Sequence, residues 1–214
     1  METVLCICLG IGLSAACGFR VFVPMLVMSI ASLAGHLSFS PEFQWIGTYP
    51  ALILFSVATA AEVAGYYVPW VDHALDVIAT PAAIVAGVIV SAAIFTGMSP
   101  LLKWPLAIIA GGGVAGLVQG ATVMTRTAAL AGSGGLANPV VATMELGGAV
   151  ASSIGAIVAP LLFAAILAIG LALAGRKLWR WRQSRASAAM PGGAWAAEND
   201  STTKSSAAIN HPTT

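Results

Sequence analysis

Few residues of this sequence can do chemistry, and most of them stand where a charge is hard to keep. Arg20, Glu62 and Glu145 lie inside long apolar runs, while Asp72, Asp76, Lys103 and Arg126 stand near the ends of such runs. A charge at the centre of a bilayer costs at least about 2.5 to 3.5 kcal/mol on insertion scales, so an intramembrane ion needs a partner or a task. The first three residues admit two readings. They can line a polar path in which the carboxylates bind a cation or exchange protons and Arg20 holds an anionic group. They can also form a buried ion pair, Arg20 with one glutamate, that fixes how the helices register. The readings are compatible. Gln119, inside another apolar run, adds a side chain able to hydrogen-bond across helices.

Asp72 and Asp76 are four residues apart in Pro69-Trp-Val-Asp72-His73-Ala-Leu-Asp76, so on a helix they share a face at the membrane rim. With His73 alongside they are a candidate cation site. Two carboxylates without a third well-placed ligand fit a solvated interfacial face better, with Asp76 near the start of the next helix. No metal centre is read from them. Gly111-Gly112-Gly113-Val-Ala-Gly116-Leu-Val-Gln119-Gly120 has the glycines of a phosphate loop but not its Gly-Lys-Ser/Thr ending, and it lies in an apolar run, so it reads as a small-residue packing face. His36 and His211 have no catalytic neighbours, and Cys6, Cys8 and Cys17 read as small apolar fillers. Neither an enzymatic centre nor a cofactor is expected.

The elements that position these residues follow from composition. The 214-residue chain is 58% hydrophobic and 8% charged, against roughly 25% charged in soluble domains. The apolar runs cover about Thr3 to Gly35, Pro50 to Val68, Thr80 to Met98, Pro105 to Met124 and Asn138 to Gly175. They are continuous rather than alternating, which favours helices over a barrel. As single helices the first and last would be about 50 and 57 Å long against a hydrocarbon core of about 30 Å. Each is therefore expected to break, the first where Gly18 and Pro24 bracket Arg20 and the last at Gly155 and Pro160. The expected fold is an all-α integral membrane bundle of about five to seven segments, with broken or re-entrant helices at those two places.

Thr80-Pro81 and Asn138-Pro139 each set a capping side chain before a proline suited to a first helical turn. Tyr49-Pro50 and Trp104-Pro105 are similarly alike. Duplicated two-segment units would explain both pairs, and so would similar local needs at helix starts. Trp45, Tyr49, Tyr66, Tyr67, Trp70, Trp104, Trp179 and Trp181 mark the rims of the segments as an interfacial belt. Residues 1–175 are expected to form the membrane domain. Residues 176–214 open with the basic run Arg176 to Arg185 and turn polar from about Met190, which reads as a disordered tail on the cytoplasmic side. The first segment lacks the basic start of a signal peptide and is read as retained.

Gly12-Leu-Ser-Ala-Ala-Cys-Gly18-Phe19-Arg20-Val-Phe22-Val-Pro24, Tyr67-Val-Pro69-Trp70-Val-Asp72 with Ala79-Thr80-Pro81, Gly116-Leu-Val-Gln119-Gly120 and Asn138-Pro139-Val-Val-Ala-Thr-Met-Glu145 form a distinctive set. Together they resemble a bacterial membrane-protein family known as a domain of unknown function, numbered 4126, over about Gly12 to Leu173. The resemblance implies a bacterial inner-membrane protein and carries no activity with it. From the residues themselves, the expected function is a small transporter or channel whose polar path is formed by Arg20, Glu62 and Glu145, with Asp76 near one mouth and proton coupling through the glutamates. The alternative is a non-transporting scaffold or accessory subunit. Expected partners are the lipid bilayer and a small ion or solute, with self-association left open and nucleic acid excluded.

Overall fold

The structure, a computed structural model, describes residues 2–133 and 138–189. The side chains of Asp72, His73, Asp76, Asn138 and residues 181–189, among others, lie outside the described set. The chain divides into two compact units, Met1–Leu167 and Ala168–Thr214.

The described elements are helical. In the first unit α1 (Glu2–Cys17) and α2 (Phe22–Leu33) are followed by a 3-10 helix, Pro41–Gly47, and by α3 (Tyr49–Gly65). Next come α4 (Pro69–Ile94), α5 (Pro100–Leu106), a π-helical stretch Ala107–Gly112, α6 (Gly113–Ser133) and α7 (Asn138–Val158). The last helix, α8 (Pro160–Ala189), begins in the first unit and ends in the second. Four stretches are long and apolar enough to cross a membrane: Val77–Ile94, Pro100–Ala129, Pro139–Val158 and Pro160–Lys177. A fifth is counted if the 3-10 helix and α3, bent by 67°, form one broken span.

The first apolar run breaks as expected, between Cys17 and Phe22. The contacts of its two halves show how it is folded. Along α1, the Cys6 sulfur lies 3.8 Å from the Thr96 hydroxyl, Ser91 donates to the Gly10 carbonyl at 3.3 Å, and Ser14 donates to the Gly87 carbonyl at 2.8 Å. Ascending numbers on α1 thus meet descending numbers on α4, and the two helices run antiparallel. Beyond α2 the chain has returned, because the Ser40 N–H donates to the Ala93 carbonyl at 2.8 Å. Both outer ends of the α1–α2 pair therefore sit at the C-terminal end of α4, and the pair is a re-entrant hairpin. Its tip lies midway along the Pro100–Ala129 span: a Cβ at Gly18 would come within 2.6 Å of both the Ala115 carbonyl and the Val118 side chain. At 1.5 Å per residue α1 is about 24 Å long, short of a full crossing.

Small residues let the hairpin in. Ser14 and Ser91 hydroxyls are 2.8 Å apart, and a Cβ at Gly87 would sit 2.8 Å from the Gly111 carbonyl, so α1, α4 and the start of α6 approach backbone to backbone. Within the glycine run Gly111, Gly112 and Gly116 lie against α4, whereas a Cβ at Gly113 or Gly120 would meet nothing within 4 Å. Cys17 is buried in the same core.

Some helix starts differ from expectation. Thr80-Pro81 is not one, since α4 already begins at Pro69 and Pro81 lies inside it. An internal proline forfeits one backbone bond, which a buried membrane helix tolerates, and Pro69 itself takes the favoured first position. Pro105 likewise lies inside α5, and the π-helical turns that follow carry the helix past it. Tyr49-Pro50 and Asn138-Pro139 do open α3 and α7, with the Thr48 hydroxyl accepting from the Ala51 N–H at 3.4 Å. The paired motifs thus occupy unequal places. The last run breaks at Ala159, just before Pro160, while Gly155 stays within α7 and lies against the Phe163 ring. The boundary expected at Gly175 falls within α8, and the tail expected from Met190 lies outside the described residues.

Candidate functional site

The hairpin tip creates two needs that the rest of the fold answers. The first is at the start of α2, whose leading N–H groups have no helical acceptor. The N-cap, Val21, has an aliphatic side chain that caps nothing, and Pro24 has no N–H to satisfy. Glu62 supplies the acceptors from α3: its Oε1 accepts from the Val21 N–H at 2.9 Å and its Oε2 from the Phe22 N–H at 3.1 Å. The carboxylate is 8% exposed and sits at the positive end of α2. Glu62 is therefore an anchor that ends the hairpin turn.

The second need is Arg20, at the tip itself and only 2% exposed. Its Nη2 donates to the Ala142 carbonyl on α7 at 3.0 Å and lies 3.8 Å from Glu145 Oε2. Its guanidinium carbon is 3.8 Å from the centre of the Tyr66 ring, within cation–π range. Nε and Nη1 are buried and have no acceptor among the described residues.

Glu145, 6% exposed on α7, is shared. Arg126 of α6 donates from Nε to Oε1 at 2.8 Å and from Nη2 to Oε2, a bidentate pair, and its guanidinium carbon lies 4.2 Å from the Tyr66 ring centre. One carboxylate thus faces two arginines, and one aromatic ring lies against both. Next to it, the Tyr67 hydroxyl and the Thr143 hydroxyl are 2.9 Å apart, which ties the turn after α3 to α7.

The structure accordingly brings Arg20, Glu62 and Glu145 to one place. Gln119 is buried on the same face of α6, two turns before Arg126. Asp72 and Asp76 fall on the first turns of α4, and their side chains lie outside the described residues. At the opposite end of the bundle Lys103 Nζ reaches Glu42 Oε2 at 3.1 Å, joining α5 to the 3-10 helix.

Two members of the cluster were not foreseen in it. Tyr66 was read as part of the rim, but it is buried, unlike the exposed Trp45, Tyr49, Tyr67, Trp104 and Trp179. Arg126 was read as a segment end because hydropathy falls there, yet α6 continues for seven residues, to Ser133. A signal for it did exist. Arg126 precedes the end of α6 by as many residues as Glu145 follows the start of α7. In an antiparallel pair such positions lie at one depth.

The arrangement can hold fixed charge within the apolar spans, toward their Tyr66 end, and present guanidinium donors to an anion. No curated protein and no solved structure matches the chain. Residues 7–180, which include the hairpin tip, α2, the charge cluster and α7, match the family described as a domain of unknown function (DUF4126), and the chain belongs to that family.

Proposed function

We propose that this chain is a small transporter of the bacterial cytoplasmic membrane, with its C-terminus on the cytoplasmic side and a polar path that passes the tip of the re-entrant hairpin. The observation that carries the reading is the tip itself: a broken helix pair that ends at mid-span and sets a buried arginine among two glutamates and a second arginine. Broken helices place unwound backbone and helix ends where a solute sheds its water, and intramembrane ions of this kind mark solute or proton pathways. Within that path the two glutamates divide their work. Glu62 is committed to α2 and holds the tip in place. Glu145, shared by Arg20 and Arg126, is the coupling residue, with Gln119 further along the route and Asp76 near one mouth.

Accessibility tests the reading. Single cysteines at Gln119, Thr122 and Ala142, in a background lacking Cys6, Cys8 and Cys17, are treated with a membrane-impermeant thiol reagent from each side in turn. Labelling of one position from either side supports an alternating path. Protection of all three from both sides means a dry, packed interior and ends the transport reading.

A second reading has its own observation. The apolar residues Leu161, Leu162, Ile166, Ile169 and Leu173 of α8 are exposed, and the exposed Trp179 follows them. A scaffold subunit would use such a surface for a partner. Truncation after Gly175 would then lose a partner in a pull-down while leaving any flux intact.

A further inference from the structure

We infer that the hairpin tip is a receptor for a small oxyanion of one negative charge, a carboxylate or a phosphate group, held by Arg20. The inference rests on the transport reading and names the class of solute that the same site takes.

The donors of Arg20 carry the argument. A guanidinium has five N–H donors. Nη2 spends one on the Ala142 carbonyl, and its 3.8 Å separation from Glu145 is too long for a hydrogen bond. The Nε donor and both Nη1 donors are buried with no acceptor among the described residues. Unsatisfied buried donors are uncommon, and on a cation they are costlier still. Charge points the same way. Arg20, Arg126, Glu62 and Glu145 sum to zero, but the Glu62 carboxylate is taken by two backbone N–H groups at the positive end of α2. Glu145 is taken by the bidentate Arg126. Both carboxylates near Arg20 are thus engaged by other donors, which leaves its Nε and Nη1 groups for an acceptor from outside the cluster.

The Tyr66 ring lies 3.8 Å from that guanidinium carbon and belongs to the short turn between α3 and α4. An anion that arrives binds Arg20 while Glu145 keeps Arg126.

Equilibrium binding tests this apart from transport. The full chain in phosphatidylcholine nanodiscs is titrated calorimetrically with inorganic phosphate and with acetate. Saturable binding is expected, at least tenfold weaker in R20K, which keeps the charge but loses the guanidinium donors, and unchanged in R176Q. No binding of either probe and no retained anionic lipid overturns the inference, as does equal binding by R20K. If R20K does not fold, phenylglyoxal modification of the wild type is mapped by mass spectrometry. Protection of Arg20 by phosphate, with Arg176 still modified, supports the site, and the same Arg20 signal with and without phosphate overturns it. Nanodiscs containing phosphatidic acid separate the sources. Lipid retained by the wild type and lost from R20K, with free phosphate inert, assigns the site to a lipid headgroup, whereas phosphate binding in pure phosphatidylcholine assigns it to a free solute. Anion binding without flux in proteoliposomes would keep this inference and remove the transport reading. Cation flux without anion binding would do the reverse.

Discussion

The two ends of the hairpin hold charge in opposite ways. At the tip, Arg20, Glu62, Glu145 and Arg126 are all nearly or wholly out of contact with solvent, and each carboxylate oxygen accepts from a named donor. At the mouth, Lys103 is buried but its partner Glu42 is 59% exposed. The difference teaches what each pair does for the fold. A buried pair does not add much over an apolar packing of the same shape, but removing one member strands the other and is strongly destabilising. Removing Lys103 instead leaves Glu42 able to find water, so from that side the pair can be dismantled at little cost.

Four changes would break or sharpen that contrast, and unfolding in mixed micelles followed by circular dichroism reads them all. The largest expected effect is at Glu145: E145A takes the bidentate acceptor from Arg126 and the carboxylate 3.8 Å from Arg20, with a loss of about 3 to 5 kcal/mol. In a double-mutant cycle with Arg126, strong coupling should appear, and additivity would show that the pair is not formed. G111V comes next. A side chain there would run into Ser91 and the Gly87 carbonyl, so the π-helical stretch and α4 must separate, costing about 1 to 3 kcal/mol. E62Q follows and overlaps that range. It keeps one acceptor for the start of α2 and loses the other, with a cost of about 1 to 3 kcal/mol, and hydrogen exchange should rise at Val21 and Phe22. Exchange unchanged at those two amides would remove the anchor role. K103Q is the smallest: it leaves the exposed Glu42 to water, so its shift should be slight and should vanish in high salt. A loss as large as that of E145A would erase the distinction between tip and mouth.

Much of the site could be read from residue types alone. Arg20, Glu62 and Glu145 are legible because the apolar runs around them make any ion conspicuous. The break after Cys17 is legible because Gly18 and Pro24 interrupt a run too long for one crossing. Arg126 and Tyr66 were harder for a physical reason. Each lies where a run fades into polar residues, and there a sequence does not distinguish a side chain that turns inward from one that meets the headgroups. Thr80-Pro81 misled in the other direction, since a good capping pair was overridden by a helix already under way from Pro69.

By itself, the sequence determined the solvent and the material of the fold: low charge and continuous apolar runs dictate helices in lipid, and scarce ions dictate where chemistry must be sought. Only the tertiary structure decided what each ion does. Glu62 and Glu145 are the same residue type in similar runs, yet one meets the backbone of α2 and the other meets arginines from two elements distant in sequence. Composition and spacing fix the cost of a buried charge, but its partner is set by which helices come together. Here that depends on a hairpin that turns back at mid-span.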